Sequence, residues 1–421
     1  MTTPRSPVVM VAVHDGFYGC GTGAGQSNRA FLRIVASLLA PSVRLAVLPV
    51  RLRPGSSEYD PVWHRETLAI LAGTSSEIVP VDNGSNGMTR FGGLDCFRAA
   101  CTSAAASITR ILAHPSPALI VAFDVPFFGL APLLPSHARA ALVNVARATA
   151  ALQAAGDSER MTWEQNGLLA TAAAGGHIAA TSRHIRGHLA AAYHIPQPSI
   201  VDLTNGLTRA EQHPSQPAGT SLPSAASAGF LLSFGRAEPY KGFDDLLDAL
   251  HILKTSGTPV PHTFLAAVTD GPPPIPYQRH LAHRIISEEL DVTLHTTFSP
   301  SVRGLLSHPS LAAVIVPSRA EPFGRIPLEA FAAGASPVIA TTAGGLAETV
   351  TEGRTGYTAR PADPRSLAAA IYRALTASPA EHTRMLAEGR RLTATRYDYD
   401  ANAQSFLTAA APWAIAPRQS T

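Results

Sequence analysis

Charged residues, cysteines and long apolar runs are all scarce in this sequence. Asp, Glu, Lys and Arg make up 15% of the 421 residues, and the formal net charge is +3. Soluble domains usually contain about a quarter charged residues, so a highly charged disordered protein is excluded. The chain has no strong excess of basic residues, so the sequence predicts no nucleic-acid partner. No apolar run reaches the roughly 18 residues of a membrane-spanning helix, so we expect no integral membrane association.

The three cysteines, Cys20, Cys96 and Cys101, are an odd number and form no Cys-x-x-Cys pair. This pattern is typical of a reduced protein without a disulfide framework or zinc knuckle. The chain opens without a charged and then apolar signal peptide, so a cytoplasmic location is expected. His184 and His188 are four residues apart, but no third ligand accompanies them, so no metal site is predicted.

Apolar strand-like runs alternate with helical patterns twice along the chain, and the hydrophobic fraction of 46% is enough for sizeable cores. The alternation predicts an α/β fold of two doubly wound, Rossmann-like domains facing across a cleft. The predicted parts are an N-terminal domain over 1–208, a Pro- and Ser-rich linker or loop over 209–228, a C-terminal domain over 229–395, and a crossing helix over about 396–421.

Loops that follow strands are the expected positions of functional residues, because doubly wound sheets bind ligands at the carboxyl ends of their strands. A glycine-rich loop with Gly19, Gly21, Gly23 and Gly25 follows the first strand and precedes a helix that is expected from about Ser27. The predicted strands are 8–13, 43–50, 78–81, 119–123, 141–145 and 178–180 in the first domain, and 231–234, 264–268, 292–298, 312–316 and 337–340 in the second.

The segment 317–330 contains two glutamates, Glu321 and Glu329, in the pattern Glu-x7-Glu. It leaves an apolar strand, crosses a loop and enters a helix, whose N-terminus favours an anion. The two carboxylates can accept hydrogen bonds from neighbouring hydroxyls. A polyol carrying a phosphate, such as a nucleotide sugar, meets both requirements. The alternative interpretation is two solvated surface glutamates near a helix cap.

Two basic residues, Arg236 and Lys241, lie in the loop after the first strand of the second domain. Lys241 is one of only two lysines in the chain. A guanidinium offers a fork of donors and an ammonium a point charge, and both suit a diphosphate. Gly344 and Gly345 follow another strand and allow close approach of the backbone.

Together these segments resemble the family-4 retaining glycosyltransferases of the GT-B architecture. The resemblance rests on five motifs. They are Gly-Arg-x4-Lys-Gly at 235–242, Glu-Pro-Phe-Gly at 321–324 followed by Glu329-Ala, Gly-Ala-Ser-Pro-Val-Ile-Ala at 334–340, Gly-Gly-x2-Glu at 344–348, and Gly-Arg-Thr-Gly at 353–356. These motifs cover nearly the whole C-terminal half in the expected order, whereas the N-terminal half matches more loosely.

The resemblance implies that Arg236 and Lys241 hold the donor diphosphate and neutralise charge on the departing nucleotide. Glu321 would face the donor sugar. It also implies retention of anomeric configuration by front-face displacement, with no metal and no cofactor. The remaining implied donor contacts are Glu329 for the ribose hydroxyls, the amides of Phe323 and Gly324 for sugar oxygens, Gly23 or Gly25 for the phosphates, and main-chain groups from Thr296 through Thr297 to Phe298 for the base.

The acceptor is not specified by any motif. Family members often have a histidine after the fourth N-terminal strand, where this sequence has Asp124. Asp124, Asp15 and Glu164 are the candidate acceptor residues, each with the alternative of an ordinary structural role. Acidic side chains suit a cationic group, and the chain vaguely resembles enzymes that glycosylate aminoglycoside antibiotics. We therefore expect a nucleotide-sugar donor, linked to UDP as is common in the family, and a small amine-bearing acceptor such as an aminoglycoside precursor.

Three other functions are considered. A nicotinamide-dependent enzyme is disfavoured, because the first loop reads Gly-x-Gly-x-Gly-x-Gly and the second strand is followed by Arg51 and Arg53 rather than an acid. A sugar-nucleotide epimerase of similar two-domain build is a closer alternative. A non-catalytic two-domain ligand-binding protein is the third.

Overall fold

The fold is described by a computed structural model over residues 6–114, 116–154, 156–213, 224–269, 273–297, 299–335 and 337–416. It contains two compact units. The first comprises Met1–Asn205 and Tyr399–Thr421, and the second comprises Gly206–Asp398. Each unit has its own parallel sheet and its own buried clusters, so each is described separately.

Both sheets are entirely parallel in their described pairings. The first has the strand order β3-β2-β1-β4-β5-β6-β7, and the second has the order β10-β9-β8-β11-β12-β13. The strands are β1 Val8–Val13, β2 Arg44–Pro49, β3 Ser76–Ile78, β4 Ala118–Phe123, β5 Leu142–Ala146, β6 His177–Ala180, β7 Ile200–Asp202, β8 Phe230–Arg236, β9 His262–Thr269, β10 Val292–Thr297, β11 Leu311–Val316, β12 Val338–Thr341 and β13 Tyr357–Ala359.

Helices connect the strands in the manner expected of parallel sheets. They are α1 Gly23–Leu38, α2 Pro61–Leu71, α3 Leu94–Ile111, α4 Ser136–Arg139, α5 Ala150–Gln153, α6 Ser158–Ala173, α7 Arg183–Ala192, α8 Arg209–Gln212, α9 Phe243–Thr255, α10 Pro276–Ser287, α11 Ile326–Ala333, α12 Leu346–Thr349, α13 Pro364–Thr376, α14 Pro379–Thr395 and α15 Tyr399–Ala410. None of the helices in the described ranges is long and apolar enough to cross a membrane.

The central strands carry continuous apolar sequences because both faces of each sheet are covered. All six residues of β1 are buried, and they divide between two buried clusters. Such runs are typical of parallel sheets with helices on both sides. The predicted class of two doubly wound α/β domains is confirmed. Strand order reverses beside β1 in the first sheet and beside β8 in the second, which defines a switch point in each.

The end of the chain returns to the N-terminal unit through α15. Phe406 and Leu407 of this helix are buried in the same cluster as Phe31 of α1, and the rings of Phe31 and Phe406 are 6.3 Å apart. This apolar contact explains why α15 packs with a sheet that lies almost the whole chain earlier. The crossing helix was predicted over about 396–421, whereas α15 covers Tyr399–Ala410; residues 417–421 lie outside the described residues.

Two local predictions need correction. The glycine-rich loop is shorter than expected, because α1 begins at Gly23 rather than near Ser27; the side chain of Thr22 accepts from the Gly25 amide and caps the helix. The segment predicted as a linker begins with the one-turn helix α8. Thr208 and Glu211 form a capping box at the N-terminus of this helix. The part of that linker over 214–223 lies outside the described residues.

Candidate functional site

The loops after β8 and β11 are joined at the switch point of the second sheet. Gly242 has a φ of 71°, and a β-carbon there would lie 2.0 Å from the carbonyl oxygen of Pro317. Only glycine permits this approach. The carbonyl of Tyr240 accepts hydrogen bonds from the amides of Arg319 at 2.8 Å and Ala320 at 3.3 Å. The backbone therefore fixes the loop with Lys241 against the loop with Glu321.

An ion pair links two of the predicted site residues. Lys241 Nζ lies 2.5 Å from Glu321 Oε2, and the two side chains are 16% and 13% exposed. The carbonyl of Glu321 accepts from the amide of Gly345 at 2.8 Å, which adds the loop after β12 to the arrangement. Three strand-end loops thus meet around this pair.

Arg236 and Lys241 lie on either side of one aromatic residue, Tyr240. Arg236 Nη2 donates to the Tyr240 hydroxyl at 2.5 Å, and Lys241 Nζ is 5.5 Å from the centre of its ring. Burial raises the pKa of Tyr240, although Arg236 and Lys241 act to lower it. Sequence reasoning missed Tyr240, whose only signal is its position between the two basic residues of the motif.

Glu329 lies in the first turn of α11 and forms a separate group of ion pairs. Its oxygens are 3.1 Å from Arg303 Nε and 3.4 Å from Arg325 Nε. Burial acts to raise the pKa of Glu329, but the two guanidinium groups outweigh burial and hold it below its usual value. The carboxylate is therefore ionised. Arg303 and Arg325 were not predicted, and Arg303 lies outside every motif.

Arg325 connects Glu329 to the start of the second unit. Its Nη1 donates to the carbonyl of Gly206 at 2.9 Å, and its Nη2 donates to Glu211 at 2.6 Å. The side chain is 9% exposed. Burial would lower the pKa of Arg325, but the two glutamates raise it. A hydroxyl-bearing ligand at Glu329 therefore meets a carboxylate whose orientation is already fixed.

The remaining donor-site predictions fall on main-chain positions. Phe323 has a buried ring that packs edge-on against Tyr397 at 5.6 Å, so its predicted role falls to its amide. Gly324 has a φ of 84°, and a β-carbon there would lie 2.5 Å from a methyl group of Leu346. Thr297 is exposed at the end of β10, and Phe298 lies outside the described residues.

In the N-terminal unit, Asp15 holds the glycine loop together. Its carboxylate accepts from the Gly16 amide at 2.8 Å and the Thr22 hydroxyl at 2.7 Å, and it lies 3.4 Å from Arg90 Nε. A β-carbon on Gly25 would lie 2.6 Å from this carboxylate. Asp15 and Gly25 thus have a mutual packing role, which gives a structural reason for the glycine; Gly23 is the first residue of the same helix.

Asp124 is buried after β4, where a second arginine neutralises it. Arg147 Nη1 lies 2.9 Å from Asp124 Oδ2 and 2.5 Å from the side-chain oxygen of Asn28. His14 Nδ1 is 3.5 Å from the same Asp124 oxygen. Burial lowers the pKa of His14, although Asp124 and Asp15 oppose the change, so this imidazole is neutral. Sequence reasoning missed Arg147, which lies two residues after the predicted strand 141–145 and directly after the observed β5.

Glu164 lies apart from these residues, fully buried on α6. It accepts from the Tyr193 hydroxyl at 2.6 Å, the Ala150 amide at 2.9 Å and Arg160 Nε at 2.8 Å. Burial raises the pKa of Glu164, against the lowering effect of these donors. The arrangement is that of a structural brace. All three candidate acceptor carboxylates are therefore paired with arginines.

No group of three or more His, Cys, Asp or Glu side chains that could hold a metal ion occurs within the described ranges. The charged side chains of the candidate sites come from both units. In the second unit they are Arg236 at the end of β8, Lys241 and Glu321 on the loops after β8 and β11, and Glu329 in the first turn of α11. In the first unit they are Asp15, Asp124 and Arg147, on the loops after β1, β4 and β5.

Residues 221–392 match the family model described as glycosyl transferases group 1. A glycogen synthase of Mycobacterium tuberculosis is 33% identical over 192 residues, which are 42% of this chain and 42% of the relative. A D-inositol 3-phosphate glycosyltransferase of Jonesia denitrificans is 28% identical over 223 residues, which are 51% of this chain and 50% of the relative. The chain thus spans about half or less of these curated relatives.

The structural comparison extends over almost the whole chain. HepE of Anabaena, solved in complex with UDP-glucose, matches with a TM-score of 0.67 at 17% identity, covering 96% of this chain and 99% of HepE. At this identity the likeness shows the fold alone. The fold is that of the GT-B glycosyltransferases, and the fold class predicted from the sequence is confirmed.

Proposed function

We propose that this protein is a metal-independent glycosyltransferase that moves a sugar from a nucleotide-sugar donor, with UDP as the nucleotide, to a small acceptor. The observation that carries the proposal is the meeting of the Lys241 loop and the Glu321 loop at the switch point of the second sheet. Arg236 lies on the other side of Tyr240. Two cations beside a carboxylate suit a diphosphate joined to a polyol.

The comparisons support this proposal at the level of the donor-binding half. The family match falls within the second unit. The family and the D-inositol 3-phosphate glycosyltransferase are both named for glycosyl transfer, and HepE was solved in complex with UDP-glucose. That the donor of this chain carries uridine is proposed by analogy with the UDP-glucose complex of HepE.

In the proposed reaction, the bond between the anomeric carbon and the diphosphate oxygen breaks as negative charge develops on the departing nucleotide. Arg236 and Lys241 stabilise that charge, a contribution that is often the largest in such catalysis. The acceptor oxygen attacks from the same face and gives its proton to the departing phosphate, so the anomeric configuration is retained. Glu321 orients the sugar, and Glu329 accepts hydrogen bonds from the ribose.

The amine-bearing acceptor expected from the sequence receives no support from the pairing of the acidic residues. Asp15 lies beside Arg90, Asp124 beside Arg147 and Glu164 beside Arg160. A neutralised carboxylate attracts a cation less strongly. The relatives' names also refer to acceptors other than aminoglycosides. We therefore propose only a small hydroxyl-bearing acceptor.

Nucleotide binding and turnover test the proposal. UDP, GDP and ADP are compared by thermal unfolding, since a ligand that binds the folded state raises the unfolding temperature. UDP-glucose and other UDP sugars are then screened for release of UDP. We expect stabilisation by UDP and release that persists after exhaustive chelation. Activity restored only by added divalent ions would contradict metal independence.

The sugar-nucleotide epimerase is distinguished by the products of the same experiment. An epimerase converts the donor sugar while the sugar–phosphate bond is restored, so free UDP does not accumulate in proportion to acceptor. A transferase releases one UDP for each sugar transferred. Stabilisation by no nucleotide at saturating concentration would instead favour a different class of ligand.

A further inference from the structure

Three polar residues meet at the switch point of the first sheet, where a doubly wound fold binds ligands. His14 follows β1, Asp124 follows β4 and Arg147 follows β5. The side chains of these residues are 8%, 8% and 9% exposed. This cluster, which we call the Arg147 cluster, lies wholly within the N-terminal unit.

Arg147 uses only one end of its guanidinium group. Nη1 contacts Asp124 and Asn28, whereas the buried Nε and Nη2 have no hydrogen-bond partner among the residues that the structure describes. These two nitrogens form the edge that binds two oxygens at once. Arg319 uses the same edge on Asp245, with both distances 2.7 Å. A paired set of anionic oxygens is the matching ligand group.

Asp124 supplies a second signal at the same place. Its φ is 73°, an unusual backbone conformation for a residue with a side chain, and such conformations cluster at functional sites. Its Oδ1 has no hydrogen-bond partner within the described part of the chain. An ionised carboxylate only accepts hydrogen bonds, so this oxygen suits a ligand hydroxyl.

The local charge decides which kind of group Arg147 binds. Asp124 is already engaged by the guanidinium, Asp15 is engaged by Arg90, and the buried His14 is kept neutral by its lowered pKa. The cluster therefore offers no unpaired carboxylate for a cation. It offers instead a buried guanidinium whose Nε and Nη2 have no hydrogen-bond partner among the described residues, and charge-assisted hydrogen bonding suits this two-donor edge to an anion.

We propose that Arg147 binds a carboxylate or phosphate group of the acceptor, and that Asp124 Oδ1 accepts a hydrogen bond from a neighbouring acceptor hydroxyl. The assignment to the acceptor rests on the proposed function, in which Arg236, Lys241 and Glu329 of the other unit hold the diphosphate and ribose of the donor. The acceptor is thus an anionic polyol rather than an amine.

Inorganic phosphate and acetate serve as probes, because they carry the charged group without a scaffold. Thermal unfolding is followed in saturating UDP, with sodium chloride at equal ionic strength as reference and methylammonium as the cationic probe. The test variant is Arg147→Lys, which keeps the charge beside Asp124 but loses the two-donor edge. The matched control is Arg186→Lys, since Arg186 contacts Asp202 through the same edge in the same unit.

We expect phosphate or acetate to stabilise the wild type and Arg186→Lys beyond the chloride reference. In Arg147→Lys we expect the affinity for that probe to fall by about tenfold or more. No stabilisation beyond chloride, an equal response in Arg147→Lys, or a preference for methylammonium would each overturn the proposal. Binding of UDP itself is read separately, so failure of the proposed function is seen independently.

Two further measurements complete the test. If Arg147→Lys does not fold, Asp124→Asn decides, because loss of the neighbouring negative charge is expected to strengthen the response to phosphate; an unchanged or weaker response contradicts the proposal. UDP-glucuronate is compared with UDP-glucose to test the donor sugar as the source of the anion. A preference for UDP-glucuronate that disappears in Arg147→Lys would overturn the assignment to the acceptor.

Discussion

Replacement of Lys241 by alanine tests the donor site, and the chain supplies its own control. Lys241 and Lys254 are the only two lysines, and each pairs with a glutamate. Lys241 is 16% exposed and lies 2.5 Å from Glu321. Lys254 is 46% exposed and lies 3.6 Å from Glu289, which is 88% exposed. Lys241→Ala thus removes an ammonium group that is shielded from solvent, whereas Lys254→Ala removes an exposed one.

The expected magnitudes differ in stability and in activity. An exposed pair contributes about 0–1 kcal/mol, so Lys254→Ala should change stability little. Loss of one partner from a fully buried pair costs about 3–5 kcal/mol; because the Lys241 pair is only partly shielded, we expect a loss of about 1–3 kcal/mol. Removing a group that stabilises transition-state charge lowers kcat by about 100- to 1,000-fold, and this loss is expected only for Lys241→Ala.

UDP release from the donor in the presence of acceptor measures kcat and KM, and thermal unfolding measures stability in parallel. Assays are run well below the unfolding temperature, so that the folded fraction of each variant is complete. The reasoning is refuted if Lys241→Ala retains kcat within about threefold of Lys254→Ala, since electrostatic stabilisation by this group would then be negligible. A stability loss that alone accounts for the activity loss would assign Lys241 a structural role.

Three further variants test the surroundings of the two sites. Glu329→Gln should weaken UDP binding, which a binding titration checks. The pKa of Glu329 is held below its usual value of about 4.3, so its ionised form stabilises the folded wild type above that pH, and this contribution is lost as the pH falls further. Glu329→Gln should lack this pH-dependent contribution, which acid unfolding checks. Gly25→Ala should cost about 1–3 kcal/mol by overpacking against Asp15, whereas Gly187→Ala, with open space around it, should be neutral or stabilising by up to about 1 kcal/mol; urea unfolding compares them. Burial depresses the pKa of His14, so the wild type should lose stability as pH falls below about 6.5, and His14→Gln should flatten that loss; a parallel acid profile in this variant would contradict the assignment.

The fold was largely predictable because its strands carry the signal of burial on both faces. The predicted strand 8–13 coincides with β1, and 119–123 differs from β4 by one residue. The short strands β7 and β13, at the ends of their sheets, were missed. Each has only three residues, too few for periodicity to distinguish a strand from a loop.

The start of α1 was predicted about four residues too late, because Gly25 near its beginning is required by a tertiary contact. Glycines ordinarily indicate a loop, yet Gly25 lies inside α1. The position requires glycine because a β-carbon there would meet the carboxylate of Asp15. Close packing against a residue ten positions earlier cannot be read from glycine content. The motifs of the proposed donor site were easier to recognise, because Arg236, Lys241, Glu321 and Glu329 lie within short sequence patterns that follow apolar strands.

The sequence by itself determined two parallel α/β sheets and the identity of the cations and acids in the loops after their strands, since continuous apolar runs and strand-end motifs are local properties. Tertiary structure alone decided which of those charges are neutralised. Asp15, Asp124 and Glu164 appear as three acids in the sequence, and only the folded chain pairs each with an arginine. Charge pairing depends on distances of a few ångströms between separate elements, so the sequence could not show that the three acids predicted to suit a cationic acceptor each lie beside an arginine.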